Sequence, residues 1–365
     1  MNRPDQEPSR PGAWGRAGDP PSGENTRRPP VQWAMSAMRP ATFPIVAIAA
    51  SAGGLEPISE LLAAIPSKIG MAFIVVQHLD PTHESLLPEI LAKKTAMPVL
   101  PAHEGLAAAP DHVYVIPPNV TLTLRDETLH LAPRQSGHAR HMPADALFKS
   151  LAEARGDSAI GVVLSGGDSD GALGIQEIKH CGGITFAQEP ASARFPSMPH
   201  NAIETGCVDF VLRPDRIARE LARLSAHAYL RPLGASSTLP TEEAPEAPEE
   251  AGTAAEEDHL RRIFRRLRSA HGVDFTHYKR STLRRRLERR MAVQKIDDRG
   301  DYAALIERDP TEAAALYQDF LIRVTGFFRD PESFEGLAQR VFPSLTEGRS
   351  PKEPIRVWVP GCATG

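Results

Sequence analysis

The stretch that decides the fold is Ile45-Val-Ala-Ile-Ala-Ala50, followed by Ser51-Ala-Gly-Gly54. Six consecutive apolar residues predict a strand buried on both faces, and the short turn after it leads into helical spacing from Leu55 to Ile65. The same alternation continues, with buried strands predicted at 71–76, 112–116, 159–164, 183–187 and 208–212, a hairpin at 121–131, and helices at 85–95, 144–154, 171–181 and 215–226. This pattern predicts an α/β fold with a doubly wound, mostly parallel sheet covered on both faces.

Composition divides the chain of 365 residues into parts with different properties. The beginning is rich in Pro, Gly and Arg and cannot bury much apolar surface, which predicts disorder. An acidic stretch rich in Pro and Ala predicts a flexible linker, and a basic stretch with helical spacing follows it. The predicted parts are a disordered tail at 1–43, the α/β domain at 44–226, an acidic linker at 227–257, a small all-α basic domain at 258–345, and the first strand of a second, Rossmann-like domain at 346–365.

The overall charge and the cysteine content exclude several classes of protein. The formal net charge is −4 and the isoelectric point is about 6.4, so the chain lacks the basic footprint of a nucleic-acid-binding protein. Cys181, Cys207 and Cys362 lie far apart, which argues against a disulfide framework or a zinc knuckle and fits a reducing compartment. No apolar run approaches the ~18 residues of a membrane span, and no secretory signal is present. We therefore predict a cytoplasmic protein without direct membrane insertion.

Three polar residues follow predicted strands of the sheet. Ser51 follows the first strand, His78 the second, and Asp170 lies in the loop after the strand at 159–164. Ligands of open α/β sheets bind beyond the carboxyl ends of the strands, so we expect these side chains to converge. A serine hydroxyl needs an adjacent base to act as a nucleophile, histidine supplies that base, and a carboxylate fixes the imidazole tautomer. The three residues are therefore candidates for a catalytic triad.

Simpler explanations exist for each of these residues. Ser51 before two glycines is typical of a helix N-cap, and Asp170 is typical of a turn. The Ser-Ala-Gly-Gly turn before a helix is also compatible with phosphate binding, although the chain lacks the Walker lysine and a full G-x-G-x-x-G motif. His78 and His83 have a spacing seen in metal sites, but Pro81 prevents a helix between them, so we predict no metal.

A second feature is a cluster of basic residues in the predicted helical domain. The cluster contains twelve Lys or Arg: Arg261, Arg262, Arg265, Arg266, Arg268, Lys279, Arg280, Arg284, Arg285, Arg286, Arg289 and Arg290. Such a cluster has three interpretations: its side chains lie on solvated helix faces, bind an acidic protein partner or bind nucleic acid. Few aromatic residues interrupt it, which argues against a platform for stacking bases.

Several motifs in the α/β region resemble those of the CheB-type protein-glutamate methylesterase. They are Ala47-Ile-Ala-Ala-Ser-Ala-Gly-Gly54, Val76-Gln-His78, Pro143-Ala-Asp-Ala-Leu-Phe148, Leu164-Ser-Gly-Gly-Asp-Ser-Asp-Gly171 and Ala187-Gln-Glu-Pro-Ala-Ser192, followed by Met198-Pro199. The resemblance implies that Ser51, His78 and Asp170 are the triad. It further implies hydrolysis of glutamate methyl esters, and deamidation of certain glutamines, on methyl-accepting chemotaxis receptors, without a cofactor.

Two positions depart from the family pattern, which usually has glycine where this chain has Ala49 and Asp168. We expect the carboxylate of Asp168 either to raise the pKa of the triad histidine or to distort the loop, and so to affect the rate more than the reaction class.

The basic region resembles the start of the CheR-type protein-glutamate methyltransferase. The specific stretches are Val324-Thr-Gly-Phe-Phe-Arg-Asp330 and Val357-Trp-Val-Pro-Gly-Cys-Ala-Thr-Gly365. The resemblance implies S-adenosyl-L-methionine as cofactor of a complete methyltransferase, with Thr325 and Arg329 in contact with it and Gly361 to Gly365 forming its first loop. Because a strand and a glycine-rich turn begin such a domain, we expect the chain to be a fragment of a longer protein.

The expected function is therefore that of a methylesterase fused to a partial methyltransferase. The alternative is a signalling scaffold with an inactive triad, whose basic helices dock an acidic receptor coiled coil. In both cases the partner is the helical cytoplasmic region of a receptor, no nucleic acid is expected, and the oligomeric state stays open.

Overall fold

The computed structural model describes residues 43–77, 85–125, 127–134, 141–230, 254–321 and 335–346, together with Ile355, Arg356 and Trp358. Its strands are β1 Ile45–Ala50, β2 Ala72–Gln77, β3 Val99–Pro101, β4 Leu106–Ala107, β5 Val113–Val115, β6 Val120–Arg125, β7 Thr128–Pro133, β8 Ala159–Val163, β9 Ile184–Gln188 and β10 Phe210–Leu212. Its helices are α1 Leu55–Ala64, α2 Leu87–Ala92, α3 Pro143–Arg155, α4 Ala172–His180, α5 Ser197–Glu204, α6 Pro214–Ser225, α7 Ala254–His271, α8 Arg280–Gln294, α9 Arg299–Arg308, α10 Pro310–Phe320 and α11 Phe342–Thr346, with a π-helical turn at Leu337–Val341.

A seven-stranded sheet forms the centre of the α/β domain, in the order β10-β9-β8-β1-β2-β5-β3. All of its neighbouring strands pair in parallel. The central strands β1, β2 and β8 consist of apolar residues buried on both faces, apart from the half-buried Gln77 at the end of β2. The predicted doubly wound parallel sheet is confirmed.

Helices cover both faces of this sheet. One hydrophobic core lies between the sheet and helices α1, α2 and α6, and a second lies between the sheet and helices α3, α4 and α5. The second core also includes apolar residues of β6 and β7, which form a small antiparallel sheet with β4. Because successive side chains of a strand point to opposite faces of the sheet, the even-numbered side chains of β1 enter the first core and the odd-numbered ones the second.

The helical module, α7 to α10, has a core of its own. Asp298 caps α9 and Asp309 caps α10, each accepting hydrogen bonds from amides of the first turn. Inside the module, Arg290 pairs with Glu312 through two hydrogen bonds, and Tyr302 donates to the same carboxylate at 2.6 Å. The predicted helical domain is thus present from 254 to 320, and no helix among the described residues is long and apolar enough to span a membrane.

The structure also differs from the predictions at several elements. Strands β3 and β4 and helix α5 were not predicted, because the first two are only three and two residues long and α5 carries Pro199 near its start. In the segment 346–365, predicted to contain the first strand of a second domain, the described residues Ile355, Arg356 and Trp358 have no regular structure, and their neighbours lie outside the described residues. At the two ends of the predicted linker, 227–257, the structure describes folded elements: Tyr229 and Leu230 are buried in the first core, and α7 begins at Ala254. The tail at 1–42 and residues 231–253 lie outside the described residues, so the predicted domain limits stay predictions.

Candidate active site

The order of the strands places the candidate residues at the carboxyl edge of the sheet. β1 lies between β2 and β8, and the chain leaves β1 toward β2 on one side and returns to β8 on the other. This is a topological switch point, where open α/β sheets form their binding crevice. Ser51 directly follows β1, and Asp170 lies in the loop that follows β8. His78 comes directly after β2 in the sequence but lies outside the described residues.

The turn that holds Ser51 is fixed by backbone hydrogen bonds. The Ser51 amide donates to the carbonyl of Ser165 at 2.9 Å, and the Gly54 amide donates to the carbonyl of Ser51 at 3.0 Å. Gly53 has a φ of +67°, a conformation that favours glycine. Backbone amides at the start of a helix can stabilise an oxyanion, and Ala52, Gly53 and Gly54 occupy such positions here. Because the Gly54 amide is already engaged within the turn, only the other two remain candidates for that role.

Ser165 connects three loops at this edge. Its hydroxyl donates to the carbonyl of Ala52 at 3.0 Å and accepts from the amide of Phe195 at 3.0 Å. The Ser165 amide donates to the side-chain oxygen of Gln188 at 2.9 Å, and the Gln188 amide group donates to the carbonyl of Ser192 at 3.1 Å. Ser165 and Gln188 are both buried, so these bonds are protected from competition by water.

Gly166 allows the closest approach of chain segments at the site. A methyl group added there would lie 1.9 Å from Sδ of Met198 and 3.0 Å from Cβ of Ser51. The Gly166 amide donates to the carbonyl of Phe195 at 2.9 Å, and the Met198 amide donates to the carbonyl of Gly166 at 3.1 Å. The loop after β8 is therefore packed directly between Ser51 and the start of α5.

Asp170 is buried and caps helix α3. Its two carboxylate oxygens accept the amides of Ala144 and Asp145, each at 2.9 Å. Asp145 in turn accepts the amide of Gly174 at 2.7 Å, near the start of α4. Helix α3 thus begins at a carboxylate from the loop before α4, and α4 begins at a carboxylate from the first turn of α3. Burial, together with the nearby charge of Asp170, raises the pKa of Asp145.

Asp168, one of the two residues that depart from the family pattern, stabilises the loop before Asp170. Its carboxylate accepts the amide of Asp170 at 2.7 Å, and its carbonyl accepts the side-chain amide of Asn201 at 2.9 Å. An aspartate that binds the amide two residues later forms an Asx turn. The side chain therefore supports the conformation of the loop, in contrast to the distortion that was one of the two expected effects.

Ser165, Gln188 and Asn201 were not singled out from the sequence as site residues. Their partners are up to 113 residues away along the chain, and no local pattern marks a hydrogen bond of that kind. Thr325, Arg329, Gly361 and Gly365, predicted to contact S-adenosyl-L-methionine, lie outside the described residues. Within the described ranges, no group of three or more His, Cys, Asp or Glu could hold a metal ion.

The fold and this edge define a doubly wound α/β domain of the kind found in hydrolases, joined to a helical module. Two family models match the chain: CheB methylesterase at residues 46–221, and the all-alpha domain of CheR methyltransferase at residues 258–321. A putative protein-glutamate methylesterase/protein-glutamine glutaminase of Leptospira interrogans is 33% identical over 183 residues, which cover 50% of this chain and 95% of that protein. The chain belongs to the CheB methylesterase family.

The chain is also similar to a longer protein and to a protein of known structure. An uncharacterized 104.1 kDa protein in the hypE 3' region of Rhodobacter capsulatus is 38% identical over 287 residues. These cover 76% of this chain but only 30% of that protein, so the chain spans less than a third of this relative's length. The crystal structure of the Thermotoga maritima CheB methylesterase catalytic domain has 27% identity and a TM-score of 0.47, and the match covers 50% of this chain and 99% of that one.

Proposed function

We propose that the α/β domain hydrolyses glutamate methyl esters on chemotaxis-type receptors, with Ser51, His78 and Asp170 as its catalytic triad. The observation that carries this proposal is the position of Ser51 and Asp170 after two adjacent parallel strands, at the switch point of the sheet. Membership of the methylesterase family supports the reaction class, and relatives named protein-glutamate methylesterase support the substrate class.

In the proposed reaction, Oγ of Ser51 attacks the γ-carbonyl carbon of the glutamyl methyl ester while His78 takes the hydroxyl proton. The tetrahedral intermediate collapses, the bond to methoxide breaks, and His78 returns the proton to the leaving group as methanol. Water then attacks the acyl-enzyme with His78 again as the base, which releases the glutamate side chain and regenerates Ser51. One water is consumed and one methanol is formed for each ester.

The surroundings of Asp170 suit its proposed role of orienting the histidine. The two amides at the start of α3 fix the orientation of the carboxylate through one hydrogen bond to each oxygen. Each carboxylate oxygen has two lone pairs, so capping leaves capacity for a hydrogen bond from an imidazole. The amides of Ala52 and Gly53 are the candidates for stabilising the oxyanion, and loss of one such donor typically raises the barrier by about 3 kcal/mol.

Deamidation of receptor glutamines fits the same site, because attack on an amide gives the same acyl-enzyme and releases ammonia in place of methanol. The name of the Leptospira relative includes protein-glutamine glutaminase. We extend the proposal to this reaction.

The proposal is tested by methanol release from methylated receptor membranes, comparing wild type with Ser51→Ala and with the control Ser225→Ala. Ser225 donates only to a carbonyl within α6, remote from the catalytic edge. Wild type and the control should release methanol equally, and Ser51→Ala should be slower by several orders of magnitude. Equal release from Ser51→Ala would exclude Ser51 as the nucleophile.

Absence of release from all three proteins would favour the alternative, a signalling scaffold with an inactive triad. S-adenosyl-L-methionine binding through Thr325, Arg329, Gly361 and Gly365 is a separate proposal. It rests on the motifs at 324–330 and 357–365, which resemble those of the CheR-type methyltransferase and follow the segment matched by the CheR all-alpha domain. Equilibrium dialysis with the labelled cofactor tests it, and no step of the esterase reaction depends on it. Cytoplasmic location and a receptor partner remain part of the proposal.

A further inference from the structure

Helix α8 carries six of the arginines in the basic cluster, and each of them has a partner within the chain. Arg280 and Arg284 both pair with Glu257 of α7, and Arg290 pairs with Glu312 of α10. These three stabilise the helical module internally. The remaining three, Arg285, Arg286 and Arg289, contact the α/β domain.

Arg289 is the centre of the contact with the α/β domain, and its side chain is fully buried. Its guanidinium donates to the carbonyls of Gly182 and Gly183 at 3.1 and 3.0 Å, and it pairs with Asp209 of the α/β domain. It also pairs with Asp319 of α10 at 2.8 Å. Arg289 therefore joins carboxylates from both modules.

Lys179 of α4 completes this network, with its ammonium 2.5 Å from Asp209 and 3.5 Å from Asp319. Two positive and two negative charges thus meet at a buried site. Burial alone favours protonation of Asp209, but Arg289 and Lys179 outweigh this effect and hold its pKa well below the usual range. A charge left without its partner in such a place is strongly destabilising.

Contacts of Arg285 and Arg286, about one helical turn before Arg289, extend the interface. Arg285 pairs with Asp157 and lies over the ring of Tyr229, 5.1 Å from its centroid. Arg286 donates to the carbonyls of Lys179 and His180, at 3.4 and 2.5 Å.

The C-terminal end of α8 also contacts the α/β domain. Arg223 of α6 donates to the carbonyl of Ala292 at 2.6 Å, and Lys295 pairs with Glu220 at 2.9 Å. The side chain of Ala292 is fully buried and belongs to the hydrophobic core under α6. The interface thus combines charged, polar and apolar contacts from Arg285 to the C-terminal end of the helix.

All of these contacts lie at the amino edge of the sheet. Asp157, Gly182, Gly183 and Asp209 immediately precede β8, β9 and β10. Ser51 and the loop that carries Asp170 follow the carboxyl ends of the strands, at the opposite edge. In the described part of the chain, the helical module therefore docks without covering the candidate active site.

We propose that α8 is a docking element whose partner is the α/β domain of the same chain, so that the two modules act as one unit joined at the amino edge. The face of α8 that carries Arg285, Arg286 and Arg289 is consequently closed to an external acidic helix. This inference does not depend on the proposed esterase activity.

The test uses the full chain with a protease site inserted in the linker at 231–253. After cleavage, the two pieces should still elute together in size-exclusion chromatography at micromolar concentration. Separate elution of the wild-type pieces would overturn the proposal. Addition of a helical Glu-rich peptide should leave the pieces associated, and displacement by that peptide at equal concentration would show that α8 prefers an external acidic partner.

Arg289→Met and Arg265→Met form a matched pair of variants for the cleaved protein. Arg265 is an exposed arginine of α7 and should be without effect. Loss of one partner of a buried charge pair weakens association by roughly 30-fold or more, so the Arg289→Met pieces should separate on dilution. Equal dissociation constants for the two variants would contradict the role of Arg289.

An exchange of charges avoids the risk that a buried substitution prevents folding. The Arg285–Asp157 pair is partly exposed, with 28% and 12% of the two side chains accessible. Arg285→Asp and Asp157→Arg should each weaken the association of the cleaved pieces, and the double variant should restore it. Failure of the double variant to recover any affinity would argue against this contact.

Discussion

A single methyl group added at Gly166 is expected to reduce both stability and activity. The new Cβ would lie 1.9 Å from Sδ and 2.7 Å from Cγ of Met198, and 3.0 Å from Cβ of Ser51. Real Cβ atoms are not found at the first two distances, so Met198, the loop or both must move. Met198 is 1% exposed and has no solvent beside it to move into.

The expected losses of stability and of rate follow from these distances. Overpacking a buried site typically costs about 1–3 kcal/mol, and methionine adapts better than most side chains, so we expect a loss near 2 kcal/mol. The contact with Ser51 requires a shift of a few tenths of an ångström even after Met198 has moved. Because misplacement of a reacting group by 1 Å costs about 10²-fold in rate, we expect the methyl ester to be hydrolysed roughly 10-fold more slowly.

Gly167→Ala is the matched control, because a methyl group at Gly167 would have no atom within 4 Å. Urea denaturation gives the free energy of unfolding, and methanol release from methylated receptor membranes gives the rate. Gly166→Ala should fall below both wild type and Gly167→Ala in each assay. Identical stability and rate for the two variants would refute the close packing of the loop against Ser51.

Two further substitutions test whether the Ser165 hydroxyl and the Asp145 carboxylate affect stability as the structure indicates. Ser165→Ala removes the hydrogen-bond partner of the Phe195 amide and of the Ala52 carbonyl and should cost about 1 kcal/mol in urea denaturation, against almost nothing for Ser225→Ala; equal midpoints for both would contradict this. Because burial raises the pKa of Asp145, the contribution of this residue to the unfolding free energy should fall as pH rises from about 3.9, the unfolded pKa, through the raised folded pKa. Asp145→Asn should lack that fall, and parallel stability curves for the two proteins would disprove the prediction.

The sheet could be predicted from the sequence because its central strands are continuous apolar runs. β1 and β8 were located to within one residue, and the rule that sites form at carboxyl ends singled out Ser51 and Asp170. Short edge strands such as β3 lack this signal, since three residues carry no periodicity.

The supporting residues of the site and the role of the basic cluster could not be predicted in the same way. Ser165 and Gln188 act through hydrogen bonds between distant segments, which depend on tertiary packing. The density of arginines indicates that negative partners exist, but not whether they lie in another molecule or in the same chain. For Arg289, the partners are Asp209 and Asp319, 80 and 30 residues away.

The exchange of caps between α3 and α4 ties the proposed acid of the triad to the folding of its surroundings. Asp170 is oriented by helix amides that are in place before any substrate arrives, so its geometry requires no reorganisation during the reaction. Replacement of Asp170 by a neutral residue would therefore remove the proposed acid of the triad and loosen the start of a helix at the same time. Residues outside these two helices can therefore vary and change the substrate specificity, whereas a change at Asp170 also affects the folding of the domain.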